Sequence, residues 1–185
     1  MKMIKTEIVI AAGGIITETG IGFLTKESLA NKMGVERKIL YPFFKKDADI
    51  LIFLLLNLKH EIKILISDAE LNKKPPEIEL QLLFESMHNF FTQKPYYLTI
   101  VLNIEQDKMG NRVQGLLISI KTMIGNYLLK IIDKGKEEAI FKTDRTPVTL
   151  ANSILGSFRS FMNQQNKIEK MVSDLKMIRE NPDFF

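Results

Sequence analysis

Two adjacent cations and a β-branched apolar residue stand together near the N-terminus, at Arg37, Lys38 and Ile39. At the start of a helix in the major groove, an arginine can bind guanine O6 and N7 through two hydrogen bonds, and an isoleucine can contact a thymine methyl. The same cations could instead form a solvated face that touches only phosphate. Both interpretations favour contact with DNA, and they differ in whether Arg37 reads a base.

The net charge of the chain is concentrated around these residues. Residues 1–46 hold eight Lys and Arg and four Glu, whereas the remaining 139 residues hold 18 basic and 18 acidic side chains, so the whole net charge of +4 lies in the first part. A local excess of this kind indicates a polyanionic partner. Further candidate DNA contacts are Thr25, which can cap a helix and offer its backbone N–H to a phosphate, then Lys26, and the loop residues Lys45 and Lys46.

No group of residues is typical of an enzyme or of a cofactor site. The chain has no Cys, which excludes disulfides and thiolate metal sites, and only two His, which leaves weak Mg²⁺ binding by carboxylates as the available metal chemistry. Gly20-Ile21-Gly22 follows a predicted helix rather than a strand, so it is not a dinucleotide-binding fingerprint. Phosphate-loop and nucleophile-elbow motifs are missing. We therefore expect a protein that is not an enzyme and uses no cofactor or metal.

The distribution of apolar residues along the chain indicates the cellular location of the protein. The most apolar run, Ile50 to Leu56, is far shorter than the roughly 20 residues that a membrane-spanning helix needs. The first ten residues lack the apolar run and the cleavage site of a secretory signal. We expect a cytoplasmic protein with no membrane partner.

Helices must position the candidate residues, because apolar side chains recur at helical spacing without strict alternation or hairpin signals. Gly13 and Gly14 lie inside the first helix and cost its stability about 1 kcal/mol each. Pro42 cuts the third helix short, and Asp47 is placed to cap the fourth. The sequence predicts an all-α fold with a three-helix helix-turn-helix head over residues 1–46 and a five- or six-helix bundle over residues 47–185. The predicted helices cover residues 6–19, 26–33, 36–41, 47–71, 76–93, 95–106, 111–134, 147–165 and 167–180.

The segment from Ile8 to Leu51 resembles the DNA-binding domain of the TetR family of bacterial transcriptional regulators. The helix from Pro147, with Gly156 near its centre, is similar to the penultimate helix by which such proteins dimerise. The order and spacing of the first segment match without a gap. The residues that carry the match are Ile8, Ala11, Ala12, Gly20, Leu24, Thr25, Leu29, Ala30, Gly34, Val35, Leu40, Tyr41, Phe44 and, less tightly, Leu51.

This resemblance implies a ligand-responsive regulator, most often a repressor, that binds a palindromic double-stranded DNA operator as a homodimer. Residues 47–185 would form the helical ligand-binding and dimerisation domain, and a small lipophilic effector would move the heads apart and release the operator. The Tyr41 hydroxyl would meet a phosphate, unless its ring packs half-buried on the first helix. Candidate ligand-binding residues, each of which could instead belong to the core, are Phe84, Met87, His88, Phe91, Tyr96, Tyr97, Asn103, Met123, Tyr127, Phe158, Phe161 and Met162.

Three residues depart from the family pattern. Lys38 stands where a small residue or Pro is usual, Pro42 where a polar residue is common, and Asp47 where a phosphate-contacting Lys is common. A carboxylate beside phosphates would weaken DNA binding, although Lys46 could compensate. Asp47, Pro42 and the paired glycines motivate an alternative function: a helical small-molecule-binding or protein-interaction module whose head no longer binds DNA specifically.

Overall fold

The computed structural model describes residues 2–103, 110–163 and 166–177, and within these ranges all regular structure is helical. The predicted all-α class is confirmed. Two short 3-10 helices, Ile21–Phe23 and Arg37–Leu40, flank α2. The α-helices are α1 (Lys2–Thr19), α2 (Lys26–Met33), α3 (Ala48–Leu71), α4 (Pro76–Gln93), α5 (Pro95–Asn103), α6 (Asn111–Glu137), α7 (Pro147–Gly156), α8 (Phe158–Asn163) and α9 (Asn166–Met177).

The chain folds as two compact units. The first comprises Met1–His60 and Gln93–Ile118, and the second comprises Glu61–Thr92 and Ser119–Phe185. The core of the first unit includes the fully buried Ile8, Leu29, Leu40, Leu54 and Tyr97. That of the second includes the fully buried Leu80, Phe84, Leu128, Ile132 and Ile154. The functional boundary predicted after residue 46 stays a prediction.

The short helix α2 begins and ends at the residues that the sequence predicts. Thr25 accepts a hydrogen bond from Ser28 N, and the Ser28 hydroxyl accepts one from Thr25 N, which completes a capping box. Gly34 ends the helix with φ 66°, a left-handed conformation that glycine adopts without a steric penalty. Both ends of the predicted helix-turn unit are therefore fixed by local sequence.

The third predicted helix differs from the expectation. In place of an α-helix over residues 36–41, the structure has the 3-10 helix Arg37–Leu40, with Tyr41 N bonded to Lys38 O three residues back. Pro42 has no N–H to donate to Lys38 O, so an α-helix cannot continue through this position. Pro42 therefore shortens the helix, and the turn before it is of the 3-10 type.

The start of the fourth predicted helix is also different in one respect. The helix α3 begins at Ala48, close to the expected position, but the carboxylate of Asp47 does not cap it. Asp47 Oδ1 instead accepts a hydrogen bond from Lys26 N, the first N–H of α2, at 2.9 Å. A side chain placed to cap one helix thus serves another that lies 21 residues earlier in the chain.

Two helix ends in the second unit were predicted wrongly. Helix α6 continues through Gly135 to Glu137. Gly135 does not stop it, and packing accounts for the glycine instead: the ring of Phe141 folds back onto that position, where an added Cβ would lie 2.2 Å from a ring carbon. The single helix expected from Pro147 is divided into α7 and α8 at Ser157, next to Gly156, whose low helix propensity favours a break.

The remaining differences concern the first and last residues of helices. Helix α1 begins at Lys2 rather than at residue 6, and α9 begins at Asn166. The expected ends of three helices, at residues 106, 165 and 180, lie outside the described residues.

Helix α6 is, in the described part of the chain, the one helix long and apolar enough to cross a membrane by length and composition. Its buried side chains, including Val113, Ile120, Ile124, Leu128 and Ile131, recur at helical spacing along one face. Its exposed positions include the cations Arg112, Lys121 and Lys130. Such a division is typical of an amphipathic helix packed in a globular core.

Candidate nucleic-acid interface

The predicted DNA contacts lie in three segments of the first unit. Thr25 and Lys26 stand at the N-terminus of α2, Lys45 and Lys46 lie in the loop before α3, and the others lie on the 3-10 helix and the turn after it. No result tests their individual roles, which stay predictions. The structure shows their exposure, their distances from one another and their hydrogen-bond partners.

The 3-10 helix divides its side chains between solvent and core. Arg37 and Lys38 are exposed, and Ile39 and Tyr41 are 43% and 56% exposed, whereas Leu40 is fully buried. Ile39 is one of several exposed large apolar residues of this chain, so its exposure makes it available to DNA but does not by itself indicate a contact. At 56% exposed, Tyr41 is about half-covered, which is compatible both with packing against the head and with a phosphate contact.

The two cations of this segment are not equivalent. Lys38 Nζ forms a 2.6 Å ion pair with Glu36, and both side chains are about 70% exposed. An exposed pair of this kind is worth only about 0–1 kcal/mol. Arg37 has no ion pair among the described residues, and its guanidinium is thus the more available of the two for a base or a phosphate.

Lys26 links the α2 end of the site to the other two segments. Its Nζ donates to the backbone oxygen of Lys45 at 2.8 Å and lies 5.8 Å from the centre of the Tyr41 ring. A cation at this distance from an aromatic face is weakly attracted to it. The structure therefore brings Lys26, Tyr41 and Lys45 together at one edge of the head.

The backbone N–H groups at this edge are already bonded. Thr25 N, which the sequence offered to a phosphate, donates to Ser28 Oγ at 3.0 Å, and a contact between Thr25 and DNA stays a prediction. Lys26 N donates to Asp47. The N–H groups of Lys45 and Lys46 both donate to Asp49 Oδ2, at 2.9 and 2.8 Å.

Asp49, in the first turn of α3, also belongs to this site, and it was not among the DNA contacts that the sequence predicted. The hydrogen bond from Lys46 N holds the pKa of its carboxyl below the usual range, helped by the bond from Lys45 N and the charge of Arg112 and opposed by partial burial. Asp49 is therefore ionised at neutral pH and fixes the loop that carries both lysines.

The candidate ligand-binding residues fall into two groups. Tyr96 and Tyr97 belong to the first unit, where Tyr97 is fully buried and its hydroxyl donates to Asn57 Oδ1. The side chain of Asn103 lies outside the described residues. The other candidates, Phe84, Met87, His88, Phe91, Met123, Tyr127, Phe158, Phe161 and Met162, belong to the second unit.

Aromatic rings of the second unit meet edge to face. Phe84 lies 5.4 Å from Phe161 and Phe91 lies 5.6 Å from Phe158, measured between ring centres. Both pairs join α4 to α8. These contacts are typical of a packed core, and a role in ligand binding stays a prediction. His88 Nδ1 is buried and has no hydrogen-bond partner among the described residues.

Sequence reasoning missed a buried polar pair in this unit. The Tyr127 hydroxyl donates to the carboxylate of Glu79, and both residues are more than nine-tenths buried. Burial, followed by the bond to Glu79, raises the pKa of Tyr127 above its usual value. The signal was present, because Glu79 stands four and eight residues before Leu83 and Met87 and so shares the buried face of α4.

No protein-family model and no curated protein matches the sequence. Solved structures do match its fold. The TetR family transcriptional regulator PfmR from Thermus thermophilus is 16% identical, with a TM-score of 0.76, over 94% of this chain and 96% of that chain. The transcriptional regulator FadR from Bacillus subtilis, solved with stearoyl-CoA, is 21% identical, with a TM-score of 0.74, over 94% and 99%.

AibR, solved with isovaleryl coenzyme A and operator DNA, is 12% identical, with a TM-score of 0.75, over 93% of this chain and 97% of that chain. At these identities the likeness shows the fold. The chain has the fold of TetR-family regulators along nearly its whole length, as the resemblance of residues 8–51 implied.

Proposed function

We propose that this chain is a TetR-family transcriptional regulator that binds operator DNA through its first 46 residues and releases it when a small lipophilic effector binds residues 47–185. It acts as a repressor, as a homodimer, in the bacterial cytoplasm. One observation carries the DNA-binding part. Arg37, Ile39 and Tyr41 are exposed on one turn, next to Lys26, in the part of the chain that holds the entire net positive charge.

Fold likeness supports the effector part of the proposal. FadR was solved with stearoyl-CoA, and AibR with isovaleryl coenzyme A and operator DNA. Both ligands are acyl thioesters of coenzyme A, and their apolar acyl chains suit the lipophilic effector expected from the sequence. The second unit of this chain supplies aromatic and Met side chains on α4, α6 and α8 that could line such a site.

A first experiment tests DNA binding. Duplexes selected by the purified protein from a random pool are compared with scrambled duplexes in a gel shift, for the wild type and for Arg37→Ala. If Arg37 reads a base, its loss weakens specific binding by about 1–3 kcal/mol and leaves binding to scrambled DNA nearly unchanged. The exposed cation Lys121, in the second unit, provides the control Lys121→Ala with the same change in net charge.

Equal losses on both duplexes would make Arg37 a phosphate contact. A second experiment adds stearoyl-CoA or isovaleryl-CoA to the protein–DNA complex and measures release of the duplex. Release by either compound, at concentrations where free coenzyme A has no effect, supports the effector class. Sedimentation equilibrium measures whether the protein is a dimer.

Two structural features favour the alternative function, a helical module whose head no longer binds DNA specifically. The recognition segment is a 3-10 helix rather than an α-helix, and the N-terminus of α2 is bonded to Asp47. A head with these features could have lost specific DNA binding and left a helical module for a small molecule or a protein. A protein that shows no salt-sensitive binding to any duplex in the random pool would favour this function over the first.

A further inference from the structure

The N-terminus of α2 is bonded to a carboxylate of the same chain. Lys26 N donates to Asp47 Oδ1 at 2.9 Å, and Ser28 N donates to the Thr25 hydroxyl at 3.0 Å. The first N–H groups of a helix and the positive end of its dipole attract anions, which is why helix N-termini bind phosphates. Asp47 therefore holds the position at which an anion from outside would bind.

The next carboxylate along the chain has the same role in the adjoining loop. Asp49 Oδ2 accepts the N–H groups of Lys45 and Lys46. Three lysines at one edge of the head thus have their backbone donors satisfied internally, by two aspartates. Only their side chains remain to meet a phosphate, and the Lys26 ammonium already donates to Lys45 O.

We infer that Asp47 takes the place of a DNA phosphate at the N-terminus of α2 and thereby lowers the affinity of the head for DNA of any sequence. The inference rests on the proposed function, because it assumes that this edge faces DNA. Asp47 is exposed, so its charge also lies where it would repel a phosphate that approaches Lys26 or Lys45. Because phosphates carry no sequence information, the effect is equal for all duplexes.

Three variants separate the hydrogen bond from the charge. Asp47→Ala removes both and frees Lys26 N. Asp47→Asn removes the charge but keeps an oxygen that can accept the same hydrogen bond. Glu27→Gln removes an equal charge from an exposed position in the first turn of α2. Affinities of each full-length variant for a selected and a scrambled duplex are measured by fluorescence anisotropy from 50 to 300 mM salt.

We expect the variants to differ in affinity and in salt dependence. Asp47→Ala binds both duplexes roughly ten-fold more tightly at low salt, and its plot of log affinity against log salt is steeper than that of the wild type by about one unit per protomer. Asp47→Asn and Glu27→Gln gain less than three-fold each. A gain from Glu27→Gln equal to that from Asp47→Ala, or no gain from Asp47→Ala, would overturn the inference.

A second measurement does not depend on DNA. Inorganic phosphate is titrated into ¹⁵N-labelled wild type and Asp47→Ala, and the amide signal of Lys26 is followed. The signal should move in the variant and stay in place in the wild type, and equal behaviour in both would overturn the inference. Wild-type protein that binds no DNA would refute the proposed function, while this titration would still decide whether Asp47 fills an anion position.

Discussion

The ring of Tyr96 lies directly on the backbone of α1 at Gly13. A Cβ added at Gly13 would lie 2.6 Å from two carbons of that ring, closer than real Cβ contacts come, whereas one added at Gly14 would lie 3.2 Å from the flexible end of Lys32. Tyr96 is on α5 and within the same unit as α1. The two adjacent glycines therefore have different structural roles, and only Gly13 is required by packing.

Alanine at the two glycines should have opposite effects on stability. In Gly14→Ala the Lys32 side chain can move aside, so we expect the gain in helix propensity to raise the free energy of unfolding by about 0.5–1 kcal/mol. In Gly13→Ala the ring must shift or the helices must separate, and overpacking of this kind costs about 1–3 kcal/mol, so the net effect is a loss. Urea unfolding of both variants measures the difference.

Removing the ring provides the control for that prediction. In the background of Tyr96→Ala, Gly13→Ala should become neutral or stabilising, because the helix propensity of alanine then acts without the clash. A Gly13→Ala protein as stable as Gly14→Ala in the wild-type background would contradict the packing role of Gly13.

Local sequence predicted the elements of this fold that depend on local chemistry. Thr25, Gly34 and Pro42 act through their own backbone and side-chain groups, and each marks an end or a break where it was expected. The errors arose where a residue serves a distant partner. Asp47 bonds Lys26 N, and Gly135 makes room for Phe141, and neither partner can be identified from spacing along one helix.

At the candidate site, too, local sequence indicates some features of the geometry and not others. Exposure of Arg37, Ile39 and Tyr41 follows from their positions around the one buried residue, Leu40. The bonded state of the backbone N–H groups at Lys26, Lys45 and Lys46 depends on how a loop folds back on α2, which no pattern in the sequence encodes. The packing of Tyr96 on Gly13 also removes Gly13 from the reasons for the alternative function.

The free energy of unfolding should depend on which residue of the buried pair Glu79 and Tyr127 is substituted. Tyr127→Phe leaves a buried carboxylate without its hydroxyl donor, and we expect a loss of about 1–3 kcal/mol in the free energy of unfolding. Glu79→Gln keeps an acceptor for the hydroxyl and removes a buried charge, so its effect should be smaller. Tyr41→Phe, at an exposed position, is the control and should lie within about 0.5 kcal/mol of the wild type.

The same pair predicts a spectroscopic result. Because burial raises the pKa of Tyr127 above its usual value, the stability linked to its neutral form is complete below that usual value and is lost progressively as the pH rises above it and through the folded-state pKa. Absorbance of phenolate should therefore show that Tyr127→Phe has one fewer tyrosine than the wild type that ionises only when the protein unfolds. An equal number of such tyrosines in the two proteins would contradict the assignment.

Asp49 predicts how stability responds to acid. Its pKa is lower in the folded protein than in the unfolded chain, chiefly because of the hydrogen bond from Lys46 N. Its contribution is therefore complete above the usual aspartate pKa of about 3.9 and is lost as the pH falls below that value and through the folded-state pKa. Thermal unfolding should show that Asp49→Asn is less stable than the wild type at pH 7, with a difference that shrinks below about pH 4.

The exposed Asp68, on α3, provides the control for the acid prediction. Asp68→Asn makes the same substitution at an exposed position, so its difference from the wild type at pH 7 and at pH 3 measures the effect of the substitution alone. A difference for Asp49→Asn that stays constant from pH 7 to pH 3 would show that the ionised carboxylate is not what holds the loop at Lys45 and Lys46.

Pro42→Ala tests whether the 3-10 geometry positions the recognition residues. The variant gains an N–H that can bond Lys38 O, so an α-helix can form where the structure has a 3-10 turn. Arg37 and Ile39 would then point in different directions. We expect the preference for a selected duplex over a scrambled one to fall by about ten-fold, as for one lost base contact of 1–3 kcal/mol, and stability to change by less than about 1 kcal/mol, because the new hydrogen bond offsets the greater freedom of the unfolded chain.

Pro75→Ala, in the loop before α4, is the matched control, since it makes the same substitution at an exposed position in the other unit. It should leave the preference for the selected duplex unchanged. If Pro42→Ala also leaves that preference unchanged while circular dichroism shows added helix, the direction of the side chains on this turn does not determine which bases are read. Arg37 would then act on phosphate alone, because a contact to a base edge needs a fixed direction and a contact to the backbone does not.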